Sequence, residues 1–106
     1  MLAEARSRIR RYTPEEAAAD PDLLLVDTRS ADERERTGVI PGSKHVPLSV
    51  LPWRVDQTSE WRDPELAGRR LCLVCAHGFA SSLAAAQLVE LGVDAGDLIG
   101  GYEAWT

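Results

Sequence analysis

Cys75 is the residue of this 106-residue chain best placed to do chemistry. It ends the apolar run Leu71-Cys72-Leu73-Val74-Cys75, and the glycine-containing segment Ala76–Ala80 must then turn the chain into the amphipathic stretch Ser81–Leu91. A strand, a tight loop and a helix in that order leave several backbone N–H groups unpaired in the turn, at the positive end of a helix dipole. Such a turn is an anion site, and the same field favours a thiolate over a thiol. Gly78 allows a positive φ or the close approach of a ligand, while the small Ala76, Ala80 and Ser81 leave space, so an anion larger than the thiolate itself fits. His77, in the same loop, either lends charge or a hydrogen bond to that anion or is a solvated loop histidine, and spacing leaves both readings open.

The second thiol reads differently. Cys72 lies inside an apolar strand, where a cysteine behaves as a small packed hydrophobe. Cys72 and Cys75 sit on one extended segment, three residues and about 10 Å apart with side chains alternating between faces. A disulfide requires Cα atoms closer than about 7 Å. A zinc site drawn from Cys72, Cys75, His45 and His77 fails on the same opposition of thiols, so neither a metal nor a cofactor is expected. Asp27 and Arg29 flank a strand end and a capped helix. They read as a structural ion pair, with Glu33 as a further partner, in preference to a catalytic carboxylate and an anion clamp. Trp53, Trp61 and Trp105 read as packing residues, with lining of a site mouth by Trp53 or Trp61 as the alternative.

The elements that position these groups follow from local signals. Thr13-Pro14-Glu15-Glu16 has a hydroxyl N-cap, proline at the first helical position and glutamate at N3, and it opens a short helix through Ala19 that Pro21 stops. Leu23–Val26 is continuously apolar, the pattern of a strand buried on both faces of a parallel sheet. Ser30 and Glu33 repeat the capping-box spacing for a polar helix to Thr37, ended by Gly38, and Val39–Gly42 is a turn. His45-Val46 is a short strand closed by Pro47, Leu48–Leu51 begins a further helix, and Pro52–Arg70 mixes short helix and loop. Leu71–Cys75 is a second central strand. The helix from Ser81 buries Ala84, Leu88 and Leu91 and ends at Gly92, and Asp97–Ile99 is a last strand before Gly100-Gly101. Strands alternating with helices imply right-handed crossovers and an α/β fold, with ligands held beyond the carboxyl ends of the strands.

Composition bounds the function. The chain has room for one domain, residues 1–106, with residues 1–8 as a flexible or helical extension. A hydrophobic fraction of 44% against 27% charged residues is ordinary for a globular protein. A net charge of −5 disfavours nucleic acid or an anionic membrane as the partner. The charged N-terminus lacks the apolar stretch of a signal peptide, and no run reaches membrane-span length, so a cytoplasmic protein with free thiols is expected.

Four segments in order resemble a rhodanese-homology domain: VDTRSADE (Val26–Glu33), GVIPGSKHVPL (Gly38–Leu48), CAHGFASSLAAAQL (Cys75–Leu88) and GGYEAW (Gly100–Trp105). The resemblance spans about Tyr12 to Trp105 and implies a single α/β domain with a central parallel sheet of about five strands and helices on both faces. It implies a sulfurtransferase in which Cys75 accepts sulfur from thiosulfate or a persulfide and passes it to a thiophilic acceptor. The amides of Ala76, His77, Gly78, Phe79 and Ala80, with Ser81, would cradle the persulfide. Two departures stand out. The family often carries arginine or another charged or polar residue where this chain has Ala80, and histidine where it has Val39. Slow thiosulfate turnover follows, with a protein-bound or low-molecular-weight persulfide as the better donor.

Two other classes compete. A cysteine-dependent phosphatase or arsenate reductase has an active loop that is one residue longer and ends in arginine, whereas position 81 is serine and neither Ala80 nor Ser82 is basic. A phosphoryl group would lack its clamp. A non-catalytic binding or regulatory module has no chemical need for Cys75.

Overall fold

The structure, a computed structural model, describes residues 1–105. Among them five strands form one parallel sheet in the order β1-β5-β4-β2-β3. The strands are β1 (Arg10–Tyr12), β2 (Leu23–Asp27), β3 (Lys44–His45), β4 (Arg70–Val74) and β5 (Ala95–Leu98). The helices are α1 (Leu2–Ser7), α2 (Pro14–Ala19), α3 (Ala31–Thr37), α4 (Leu51–Val55), α5 (Ala80–Glu90) and α6 (Gly101–Trp105), with 3₁₀ turns at Leu48–Val50 and Pro64–Leu66.

The continuous apolar runs of β2 and β4 are explained by burial on both faces. Leu71 and Leu73 belong to a core with Ala84, Ala85 and Leu88 of α5 and Leu51 and Val55 of α4. Their neighbours Cys72 and Val74 point into a second core with Ala17 of α2, Ile40 and Leu98, backed by Tyr102 and Trp105 of α6. Helices thus cover both faces of the sheet. β2 and β4 pair in register from Leu23 opposite Arg70 to Asp27 opposite Val74, which brings Asp27 and Cys75 to the same carboxyl edge.

Helix boundaries follow their caps. Thr13 Oγ1 accepts from the Glu16 N–H at 3.1 Å and the Thr13 N–H donates to the Glu16 carboxylate at 2.9 Å, a complete capping box. At α3 only half of the box forms: the Glu33 N–H donates to Ser30 Oγ at 3.1 Å, but the Glu33 carboxylate meets the Ser30 hydroxyl rather than its backbone. After α5 the Gly92 N–H bonds the Val89 carbonyl and the Val93 N–H bonds the Leu88 carbonyl, a Schellman closure.

Several expectations are corrected. β1 and α6 are elements that local patterning does not announce, because a three-residue edge strand rich in arginine and a five-residue helix after two glycines carry too little periodicity. The N-terminal extension is helical. Leu91 is 67% exposed, since the helix ends at Glu90 and the last turn swings it away from the core. Trp53 and Trp61 do not pack inside; they are 59% and 65% exposed on a polar segment. Trp105 is half-buried against the second core.

Candidate functional site

Cys75 follows the last residue of β4, and its loop is pinned by the elements on either side. The Thr28 backbone N–H and hydroxyl both donate to the Val74 carbonyl, at 2.8 and 2.9 Å. The Tyr102 and Glu103 N–H groups donate to the Cys75 and Ala76 carbonyls at 2.8 and 3.2 Å, so α6 seats directly on the loop. That seating needs glycine: a Cβ on Gly101 would lie 2.4 Å from the Cys75 carbonyl oxygen. Gly78, at φ +87°, gives the loop its sharp turn, and a Cβ there would meet the Gly100 nitrogen at 2.9 Å.

Inside the loop the Cys75 sulfur is met by donors. The Gly78 N–H points at Sγ from 3.1 Å and the Ser81 N–H from 3.4 Å. The thiol in turn donates to the Ser81 hydroxyl oxygen at 3.2 Å. Ala80 is the first residue of α5, so its N–H has no acceptor within the helix and adds to the positive rim. Cys75 as a residue is only 7% exposed, and it lines an open cavity of about 290 Å³ with Thr28, Leu48, Ala76, His77, Phe79 and Ala80 among others. Cys72 is wholly buried in the second core, where burial, with Asp97 nearby, pushes its thiol well above the ordinary range. Both cysteines are free.

Behind the loop lies a polar network that local reading misses. The Ser81 and Ser82 hydroxyls donate to Asp97 Oδ2 of β5 at 2.9 and 2.6 Å, and Asp97 is fully buried. Arg11 of β1 answers it with Nε on Oδ1 at 2.9 Å. Arg6 of α1 reaches the Gly78 carbonyl at 2.9 Å and Ser82 Oγ at 3.2 Å, and Arg11 touches the same carbonyl at 3.4 Å. A charged residue inside an apolar strand, as Asp97 is, was the available signal, since a buried carboxylate requires partners.

On the other flank Asp27 and Arg29 form a buried bidentate pair, with Nε on Oδ1 at 3.0 Å and a terminal nitrogen on Oδ2 at 2.9 Å. Arg34 joins the pair directly, at 3.2 Å from Asp27, whereas Glu33, whose side chain meets Ser30 at the helix start, acts on Arg29 through its charge alone. Burial alone would raise the Asp27 carboxyl, but hydrogen bonds and charge from Arg29, with the Arg34 charge, hold it below the ordinary carboxylate range. Arg29 also donates to Thr37 and to the Gly38 carbonyl, and its guanidinium lies 3.8 Å from the Tyr102 ring centre. Its donors are thus engaged in the scaffold. His77 is exposed and pairs with Glu103 at 2.6 Å across the cavity rim. His45 Nε2 donates to the Arg29 carbonyl at 2.8 Å, a structural bond. Trp53 and Trp61 line a separate cavity of about 530 Å³ with His45, Pro47 and Val50, which does not include Cys75. No group of three or more candidate metal ligands is present among the described residues.

Comparison with known proteins places this geometry. A protein from Rhodopseudomonas palustris, described as of unknown function and a possible tyrosine phosphatase, superposes with a TM-score of 0.91 at 32% identity, covering 98% of this chain and 84% of that one. A rhodanese homolog from Thermus thermophilus matches at 33% identity and a TM-score of 0.64, over 90% of this chain and 99% of that one. A thiosulfate sulfurtransferase from Pseudomonas aeruginosa shares the fold at 22% identity and a TM-score of 0.69, over 92% of this chain and 18% of that one. No curated protein matches the chain. The rhodanese-like domain matches residues 13–106, and on that match, with the Cys75 loop at the carboxyl edge of a five-stranded parallel sheet, the chain belongs to the rhodanese-like domain family.

Proposed function

We propose that the protein is a sulfurtransferase that carries sulfane sulfur on Cys75. The observation that supports this most directly is the pair of N–H groups of Gly78 and Ser81 aimed at Sγ from 3.1 and 3.4 Å under an open cavity. The Cys75 thiolate attacks the sulfane sulfur of the donor; a Cys–S–S bond forms and the donor's own bond to that sulfur breaks, leaving as sulfite or a thiolate. The outer sulfur carries the negative charge, and loop amides stabilise it as they would an oxyanion. A thiophilic acceptor then attacks the outer sulfur and the Cys75 thiolate departs. No metal or organic cofactor enters the cycle.

The cavity argues for the donor. Its ionisable lining residues besides Cys75 are Arg29, spent on Asp27; Glu33; and His77, paired with Glu103. No unpaired cation faces a dianion, so a persulfide, free or on a partner protein, suits the site better than thiosulfate. Two free thiols fit a reducing, cytoplasmic setting.

The name of the Rhodopseudomonas relative raises a phosphatase reading. Against it, no arginine or lysine follows Cys75 in the loop through Ser82, and Arg6 and Arg11 grip the Gly78 carbonyl from outside. A phosphoryl group would lack its bidentate clamp. The test is thiocyanate formation from cyanide and a persulfide donor beside hydrolysis of an aryl phosphate. Thiocyanate that disappears in Cys75→Ser, with no phosphate released, supports the proposal. Phosphate release lost in the same variant would replace it, and neither activity would leave a binding module.

A further inference from the structure

The matched family region begins at residue 13, yet two residues before it, Arg6 and Arg11, converge on the back of the Cys75 loop. Their charges are not equivalent. Arg11 is neutralised by the buried Asp97 at 2.9 Å. Arg6 has no carboxylate partner among the described residues: its guanidinium bonds the Gly78 carbonyl and Ser82 Oγ and lies 5.9 Å from the Phe79 ring centre. Arg6 is therefore a half-buried, uncompensated cation, one peptide group away from an anion site whose own residues, Ala76 to Ser82, include no arginine or lysine. The peptide matters too. A trans peptide directs its C=O and N–H to opposite sides, so a guanidinium that draws the Gly78 carbonyl outward turns the Phe79 N–H towards the loop interior.

We propose that Arg6 is the electrostatic positioning residue of the Cys75 loop: from helix α1 it supplies behind the loop the positive charge that Ala80 does not supply within it, and it sets the Gly78–Phe79 peptide so that an anion is held at the sulfur. This deepens the sulfur-transfer reading, on which its use in catalysis rests, but the anion preference itself is a property of the loop.

The experiment separates the two. Alkylation of Cys75 is followed in a Cys72→Ser background with anionic iodoacetate and neutral iodoacetamide, and the ratio of the two rates is compared among the parent, Arg6→Gln and Arg6→Lys. The ratio within one variant cancels any change in folded fraction or access. Arg6→Gln should lower the iodoacetate-to-iodoacetamide ratio by about three- to tenfold, with the difference shrinking in high salt, and Arg6→Lys should retain the parent ratio within about twofold. An unchanged ratio in Arg6→Gln, whether both rates stay or fall together, would overturn the proposal and leave Arg6 as a packing residue. Persulfide formation by the parent protein, measured separately by mass, reports on the sulfur-transfer reading whatever the ratio does.

Discussion

Ser81 serves the site twice, since its amide points at the Cys75 sulfur while its hydroxyl bridges that sulfur and Asp97. Ser81→Ala keeps the amide and leaves Asp97 its bonds from Ser82 and Arg11. Once Cys75 has lost its proton the Ser81 hydroxyl no longer accepts from it and is free to turn its own proton from Asp97 to the thiolate, so loss of the hydroxyl should cost about 1 kcal/mol in thermal denaturation and slow persulfide formation by about three- to tenfold, as for one hydrogen bond at a charged group. An unchanged rate would mean that the amides alone hold the sulfur. Gly78→Ala forces a side chain onto φ +87° and within 2.9 Å of the Gly100 nitrogen. It should cost about 1–3 kcal/mol in denaturant titration and displace the Gly78 amide, lowering the transfer rate far more than Ser81→Ala does. Cys75 and its loop were legible in the sequence because a thiol before a glycine turn and a helix start is a local pattern. Asp97, Arg11 and Arg6 were not, because their meeting depends on β1 pairing with β5 across 86 residues, which no local window contains.

The helices and strands around the site were legible to the degree that their signals are short-range. The Thr13 capping box and the apolar runs of β2 and β4 are each written within a few residues, and each forms. The partner of Asp27 was harder. Arg34 and Glu33 are adjacent on α3, and only the orientation of that helix on the sheet decides whether the pair gains a second cation on Asp27 or a second carboxylate on Arg29. Breaking this pair should matter: Asp27→Asn removes one member of a buried ion pair and is expected to cost about 3–5 kcal/mol. The pH dependence has a definite sign. Because the folded Asp27 carboxyl lies below its unfolded value of about 3.9, its contribution is complete above about pH 4 and lost as pH falls through the folded value. Urea midpoints measured from pH 7 down to 3 should fall steeply below about pH 4 in the wild type and less steeply in Asp27→Asn. The slope that remains belongs to Asp63 and Asp20, whose carboxyls are also held low, chiefly by hydrogen bonds from Lys44 and Arg70, and to Glu16 and Asp56, held low by hydrogen bonds from Thr13 and Thr58. Equal slopes would show that Asp27 is not the group that titrates.

At the scale of the molecule, a net charge of −5 and a loop whose sulfur is met by backbone amides are the features on which the proposed preference for a persulfide over a small dianion rests. The segment before residue 13 is part of this arrangement: α1 packs on α5, and Arg8 links to Glu90 at 2.8 Å. Deleting residues 1–8 removes α1 and Arg6 but keeps Arg11 and the family region. Circular dichroism should show an intact fold, with stability lower by about 1–3 kcal/mol. The iodoacetate preference should fall as far as in Arg6→Gln, and its retention would assign the loop's charge elsewhere. The central claim is that Cys75 carries sulfur, and intact mass after brief incubation with an organic persulfide tests it most directly, comparing wild type with Cys75→Ser and Cys72→Ser. The account predicts a gain of one sulfur atom that cyanide and reductant remove, present in wild type and Cys72→Ser and absent in Cys75→Ser. No gain in the wild type, or a gain that survives in Cys75→Ser, would contradict it.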